Sequence, residues 1–405
     1  MLPPLSATVK PAALILSPEP PYPLHGGGPQ RTASLLNYLA RYYTVDLILF
    51  RQPGAPDPTL AIPPGLVRST RILKLPYHRN DVASRVLRNS LRMMRGTPPL
   101  VDRFSGFETF LAQELSQARY QIGIVEHFWC APYAAVLNQI CDRLVLDLHN
   151  IESALHASCA AAEPWIAALG HRRFGPASLR LEREWLPRYG RILTTSQADA
   201  DRVHSISPTS LVTVYPNSTP WVPRPQREPS HSLAFSGNLR YHPNQSAFRY
   251  FRDSIWPLLR DRFPNLRWRI IGKNPEGVEP LVRGDSRIEL VGPVPDAVSE
   301  LARSEVVVAP LISGSGTRVK IIEAWAAGRA VVATTIAAEG LSTAHGENFL
   351  LADTAADFAH QIARLLEDSV LRSRIADGGR RKFEDEYTWE AAWRALGTTM
   401  LPSQL

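Results

Sequence analysis

The amino-acid sequence predicts an α/β protein built from two open, doubly wound domains in tandem that face one another across a cleft. Three observations carry this. The chain has 405 residues, too long for one ordinary core and suited to two domains. Short apolar runs alternate with helical lengths, which is the pattern of a parallel sheet covered by helices. A proline-rich break interrupts the pattern, and the pattern restarts beyond it.

In the first half, segments 13–16, 45–50, 72–75, 122–125, 144–147, 192–195 and 211–214 read as strands. Between 215 and 229 stand five prolines, Pro216, Pro220, Pro223, Pro225 and Pro229, which forbid regular structure and mark an interdomain linker at 216–231. Strands resume at 232–236, 268–271, 288–290, 306–309, 330–333 and 349–351, and 354–399 is mostly helical. The boundaries that follow are 1–215, 232–386 and a final segment 387–405. In open α/β sheets ligands sit at the carboxyl ends of the strands, so two facing sheets predict a site between domains.

The richest local signal is Ser313-Gly314-Ser315-Gly316-Thr317-Arg318-Val319-Lys320-Ile321-Ile322-Glu323-Ala324. It follows one apolar strand, opens a helix, and is followed by a second strand, making a βαβ unit. Small residues let backbone N–H groups surround an anion, and the helix N-terminus adds partial positive charge. Arg318 and Lys320 place cations at the same mouth. Lys320 and Glu323 share a helix face. A phosphate-binding turn, two cations and a carboxylate fit a diphosphate joined to a hydroxyl-rich group, as in a nucleotide sugar.

In the first domain, Gly26-Gly27-Gly28 follows the first strand and precedes a helix, where glycines permit close backbone approach to a ligand. Glu126-His127 and Asp147-Leu148-His149 end two further strands. These clusters either face the cleft or serve as caps and hydrogen-bond supports. No Gly-x-Ser-x-Gly nucleophile elbow is present. Arg79, Arg85, Arg88, Arg92 and Arg95 are interleaved with Val86, Leu87, Leu91 and Met94 at roughly helical spacing. This is either a solvated helix packed by its apolar side or a face for an anionic membrane surface.

The formal net charge of +7 favours anionic partners. No helix-turn-helix, zinc-finger or RNA-recognition signature accompanies it, so nucleic acid is not expected. Cys130, Cys141 and Cys159 match no metal-binding spacing and read as free thiols in a cytosolic protein. Residues 1–4 lack the start of a secretory signal. No run approaches the roughly 18 apolar residues of a membrane span.

Taken together, the chain resembles the retaining GT-B glycosyltransferases of family 4, in particular the subgroup with a Gly-x-Gly-Thr-Arg-x-Lys turn. The resemblance runs from about Leu233 to Trp389 and is looser in the first domain. It rests on Gly237-Asn238-Leu239-Arg240, Ile271-Gly272-Lys273, Gly292-Pro293-Val294, the turn 313–324, Ala338-Glu339-Gly340-Leu341 and Tyr387-Thr388-Trp389-Glu390. It implies two Rossmann-like domains, with a last helix crossing back to the first. It also implies retaining, metal-independent transfer of sugar from a nucleotide diphosphate-sugar to a glycan or lipid-linked acceptor, with no cofactor beyond that co-substrate. Carried over, Glu323 binds ribose hydroxyls. Gly314, Ser315, Gly316 and Thr317 offer backbone amides to the diphosphate or sugar. Gly292 and Val294 flank the base, and Gly237 lets the diphosphate approach. Asn238, Arg240, Gly272 and Lys273 join the donor site. Gly26, Gly27, Gly28 and His149 face the acceptor, and His127 contacts a sugar.

Two positions depart from the family pattern. Ser315 stands where many relatives carry a donor-contacting glutamate, and Asn238 and Asn244 stand where many carry an Arg and a Lys. Arg318 and Lys320, with Arg240 third, are the candidates to neutralise the leaving diphosphate. The expected setting is the cytoplasm, with 79–95 as a candidate inner-membrane face. Two competing readings are a catalytically silent nucleotide-binding scaffold and a nucleotide-sugar 2-epimerase on the same fold.

Overall fold

The computed structural model describes residues 10–79 and 81–402. The signal reading of residues 1–4 and the outer ends of segments 1–215 and 387–405 lie outside it. In the first domain β1 (Ala12–Ser17), β2 (Thr44–Arg51), β3 (Ser69–Lys74), β4 (Ile122–Glu126), β5 (Leu144–Asp147), β6 (Arg191–Thr194) and β7 (Val212–Val214) form a parallel sheet in the order β3-β2-β1-β4-β5-β6-β7. In the second, β8 (Ser230–Ser236), β9 (Arg267–Ile271), β10 (Ile288–Gly292), β11 (Ser304–Ala309), β12 (Ala330–Ala333) and β13 (Leu350–Leu351) form another, ordered β10-β9-β8-β11-β12-β13. The helices used below are α1 (Gly27–Tyr42), α2 (Val82–Arg95), α3 (Glu152–Ala162), α4 (Trp165–Trp185), α5 (His242–Tyr250), α6 (Val319–Ala326) and α7 (Trp389–Arg394).

The apolar runs form strands because both faces of each sheet are covered. Every residue of β4, β5 and β12 is buried, which suits continuous apolar runs rather than alternating ones. Strand order reverses beside β1 in one sheet and beside β8 in the other. The 26–28 loop follows β1 and Gly237 follows β8, so each sits at a switch point where a crevice opens, and the 313–316 turn follows β11, the neighbour of β8.

The chain crosses between domains twice. Around the outward crossing, Thr219 bridges to Thr388 on the return path. Beyond it α7 and its sequel pack into the first domain. Trp389, Ala392, Trp393, Leu396 and Met400 share a core with Ala13, Ile15 and Leu39. The Trp393 indole N–H donates to Ser34 Oγ at 3.1 Å, and the Arg41 guanidinium lies 4.0 Å from its ring centroid. Tyr43 donates to the Met400 carbonyl at 3.0 Å.

One alternative from the sequence is corrected. α2 is a helix, capped by Asp81 through Ser84 N at 2.8 Å and ended by Gly96 at φ +63°. It is not packed by its apolar side: Val86, Leu87 and Met94 are 58%, 62% and 80% exposed. The apolar stripe of Leu87, Leu91 and Met94 is exposed and lies beside Arg85, Arg88, Arg92 and Arg95, of which Arg92 pairs with Asp102 of the segment that follows, at 2.7 Å.

Replacing Trp393 with alanine removes a large aromatic side chain from the seam between the last segment and the first domain. Such truncations cost about 3–5 kcal/mol. Denaturant unfolding followed by intrinsic fluorescence of a second tryptophan should show this loss. A change below about 1 kcal/mol would mean that the return segment does not hold the domains.

Candidate functional site

The site is built around a buried ion pair. Arg31 lies in the second turn of α1, directly behind the glycine loop. Its guanidinium grips Asp147 at the end of β5, with Nε–Oδ2 at 2.8 Å and Nη2–Oδ1 at 2.5 Å, and both side chains are essentially inaccessible. Nη1 donates to the Tyr215 carbonyl at 2.7 Å and to Asn217 Oδ1 at 3.1 Å. Asn217 in turn donates to the Thr317 carbonyl at 3.0 Å, in the glycine-rich turn of the second domain. One guanidinium thus fixes a helix, a strand end, the interdomain crossing and, through Asn217, the opposite wall of the cleft.

Beside this pair, β4 and β5 run in register with Glu126 opposite Asp147. His149 Nε2 lies 2.7 Å from Glu126 Oε2. The ring of His149 stacks on His127 at 3.6 Å between centroids, and His127 stacks on Trp129 at 4.2 Å. His127 adopts φ +63°, a costly conformation for a side-chain-bearing residue that is over-represented at functional sites. Its Nδ1 is buried without a partner. Burial pushes His127 well below its ordinary value, with His149 and Arg31 adding to the effect, and holds His149 near 4. Both rings are therefore neutral at neutral pH. Burial raises Glu126 to about 7 and Asp147 to about 6, against the pull of Arg31.

The facing wall comes from β8, β9 and α6. Gly237 and Gly272 touch back to back: a Cβ on Gly272 would stand 1.8 Å from the Gly237 carbonyl oxygen. The Gly272 N–H donates to the Gly292 carbonyl at 2.8 Å. Lys320 Nζ donates to Asn244 Oδ1 at 2.7 Å and lies 4.3 Å from the centroid of Phe235. Glu323 accepts from Gln30 Nε2 of α1 at 2.7 Å. Burial lowers Lys320 to about 7, with Arg318 adding to it. Burial raises Glu323 to about 7, opposed by Gln30 and Lys320.

Two adjoining cavities share Gly26, Gly237, Asn238, Lys273 and Glu323 as lining. One, of about 230 Å³, is an apolar slot whose far wall includes Ile271, Pro293, Val294, Pro295 and Val298. The other, of about 270 Å³, is the more polar of the two and takes in His127, His149, Ser315, Thr317, Arg318 and Lys320. Glu323 stands where the two meet. The arrangement offers a flat apolar group one end, hydroxyls a carboxylate in the middle, and an anion two cations beyond it.

Most residues singled out by sequence line this cleft, Gly27 and Gly28 among them. Several are placed differently. Arg240 is 66% exposed, pairs with Glu276 at 2.7 Å and lines neither cavity. Gly292 supports Gly272 from behind. The Gly314 N–H donates to Ser158 Oγ at 3.0 Å and the Thr317 N–H to Thr195 Oγ1 at 3.2 Å. Domain closure therefore uses two of the four amides expected to face the diphosphate. Among the described residues, the amides of Ser315, Gly316, Val319 and Lys320 have no protein partner. Arg318 folds over its own turn, donating to the carbonyls of Ser315 and of Gly316, while its Nε and Nη2 remain buried and unpaired.

Gln30, Arg31 and Asn217 escaped the sequence reading. Arg31 carried a signal: a cation near a helix N-terminus opposes the dipole, so it implies a specific anionic partner. Glu126, Asp147 and His149 bring ligand atoms within 4.8 Å of one another. Arg31 already occupies both oxygens of Asp147, however, so these residues fit an ion pair rather than a metal.

The chain was compared with known proteins. Residues 230–368 match the family described as Glycosyl transferases group 1. Among curated proteins no sequence matches. Sucrose-phosphate synthase from Thermosynechococcus elongatus is 17% identical with a TM-score of 0.74, over 96% of this chain and 98% of that one. HepE from Anabaena, solved with UDP-glucose, is 16% identical with a TM-score of 0.65, over 98% of this chain and 100% of that one. A TarM variant from S. aureus, solved with fondaparinux, α-GlcNAc-glycerol and UDP, is 11% identical with a TM-score of 0.67, over 96% and 99%. At these identities the structures show the fold, and the fold they share with this chain is GT-B. Within that fold, the wall carrying Gly237, Lys320 and Glu323 lies in the part of the chain, residues 230–368, that matches Glycosyl transferases group 1.

Proposed function

We propose that the protein is a retaining, family 4-type glycosyltransferase. It moves a sugar from a nucleotide diphosphate-sugar to a glycan or lipid-linked acceptor, with no metal in the transfer step. The observation that carries this is the position of Lys320. Its Nζ sits on Asn244, where related sequences are expected to place a lysine, and 3.2 Å from where a Gly237 Cβ would be. The cation missing from α5 is supplied from α6 instead.

In this reading the base enters the slot at Val294 and Lys273, the ribose meets Glu323, and the diphosphate lies between Gly237 and the open amides of α6. Lys320 and the unpaired nitrogens of Arg318 stabilise charge as it develops on the leaving oxygen. The sugar and acceptor lie toward His127, His149 and the 26–28 loop. His127, held neutral, positions hydroxyls; the leaving phosphate takes the acceptor proton. UDP-glucose in the HepE structure and UDP in the TarM structure are consistent with this donor class.

A thermal-shift panel of nucleoside diphosphates and nucleotide sugars tests the donor site. Ligand at about 100 times its Kd stabilises by about 2.7 kcal/mol. Glu323→Ala should weaken the selected nucleotide by about 10–100-fold, the value of hydrogen bonds to a charged group. Absence of any shift in folded protein favours the silent scaffold. Release of an epimerised sugar nucleotide favours the epimerase.

Lys320→Ala should lower turnover by about 10²–10³, and full turnover would refute its role. Lys320 is protonated below about 7, and a bound diphosphate stabilises that charged form. Binding therefore takes up a proton, and affinity should fall as pH rises from about 6 to about 8. Lys320→Arg, charged throughout, should flatten the profile measured by calorimetry.

The same reading takes α2 as a contact for an anionic membrane at the cytoplasmic side. It is supported by the paired apolar and arginine stripes. No helix among the described residues is long and apolar enough to cross a membrane. Co-sedimentation should favour anionic over neutral vesicles, and Arg85→Glu with Arg88→Glu should remove the preference. Equal binding to both vesicle types would refute the contact.

A further inference from the structure

Away from the donor cleft, a second cluster of metal-binding side chains spans the two domains. Cys159 on α3, His171 on α4 and His242 at the start of α5 each bring one ligand atom within 4.8 Å of the others. The first two belong to the helical hairpin of the first domain, and the third belongs to the second domain. Sequence spacing gave no hint of this, because the three positions converge only when the domains close.

The surroundings of His242 carry the argument further. Its Nε2 pairs with Glu163 Oε1 at 3.2 Å, and Ser246 also donates to that oxygen. This leaves Nδ1, which is buried and has no hydrogen-bond partner. A histidine held by a carboxylate on one nitrogen, with the other nitrogen free, is the arrangement found behind metal-ligating histidines. His156, Cys159 and Glu163 lie on one side of α3 and its end, and His156 Nδ1 is 2.9 Å from His171 Nδ1, which orients the second imidazole. One thiolate and two imidazoles suit zinc and not magnesium or calcium, which take oxygen ligands.

We propose that Cys159, His171 and His242 form a zinc site that bridges the two domains and holds the cleft closed. The thiolate and two neutral imidazoles leave one position for water, and Glu163 balances charge from behind His242. The site adjoins the glycine-rich turn: Ser158, next to Cys159, accepts the Gly314 N–H. Zinc and the closed turn therefore support one another, and by linkage each strengthens the other.

The test uses the full chain stripped with chelator and titrated with Co²⁺. One equivalent should give a thiolate-to-cobalt charge-transfer band and the visible bands of a tetrahedral site. Cys159→Ser should abolish the charge-transfer band. His242→Gln, a change in the other domain, should weaken cobalt at least about tenfold, and Glu163→Gln about 10–100-fold. In X-ray scattering, zinc should reduce the radius of gyration of the wild type and not of His242→Gln. A missing charge-transfer band, or one that persists in Cys159→Ser, overturns the site. Zinc that binds with undiminished affinity in His242→Gln, or leaves the scattering unchanged, overturns the bridge. Should Cys159→Ser fail to fold, the His242→Gln affinity decides alone.

Discussion

The geometry of the cleft depends on one buried guanidinium. Arg31 is inaccessible to solvent, and its charge is met by Asp147 with the bidentate pairing that arginine makes best. Burying such a pair brings little net stability, because desolvation cancels most of the Coulomb gain. Its value lies in constraint. Losing either partner strands a charge among apolar strands, a change that typically costs about 3–5 kcal/mol. The pair therefore fixes α1 against β5, and with α1 come the 26–28 loop and Gln30. Through Asn217 it also reaches the turn at Thr317. Geometry in both walls of the cleft follows from one interaction.

The electrostatics of the cleft follow from burial of its charged groups. Closure surrounds Lys320, Arg318 and Glu323 with protein, and burial shifts Lys320 and Glu323 toward their neutral forms. Cations in such a setting act on an arriving anion with little screening. The same burial lowers His127 and His149 and favours their neutral forms, so the first-domain wall offers hydrogen bonds while the second offers charge. That division separates the part of the cleft suited to hydroxyls from the part suited to phosphates.

Much of the fold was legible in the sequence because parallel sheets write themselves as apolar runs. All the candidate strands exist: the central ones are buried on both faces, while the edge strands β3, β7, β10 and β13 are only partly buried but still carry short apolar runs. The glycine-rich turn and its cations were equally readable, because local backbone demands select local residues. What stayed hidden was long-range. Gln30 meets Glu323 and Gly314 meets Ser158 only after two domains have closed, and no spacing encodes that. Arg240 illustrates the converse: adjacency to a glycine turn suggested a role, but Glu276 holds the side chain outside. α2 misled for another reason. Its periodicity is that of a packed helix, and only the fold shows that its apolar stripe is exposed.

The hydrogen bond from Gln30 to Glu323 has a bearing on how tightly a ligand can be held. A carboxylate waiting in water must shed its hydration before it can accept a hydroxyl, and that loss offsets much of the gain. Here the carboxylate is largely buried, and a neutral amide already occupies one of its oxygens. On the proposed reading, a ribose at Glu323 would exchange one neutral donor for another, while the displaced amide would keep the Leu24 carbonyl, 3.3 Å away. Recognition at this carboxylate would then be in part a swap of partners, and its selectivity would rest on whether the newcomer presents hydroxyls in the position the amide vacates.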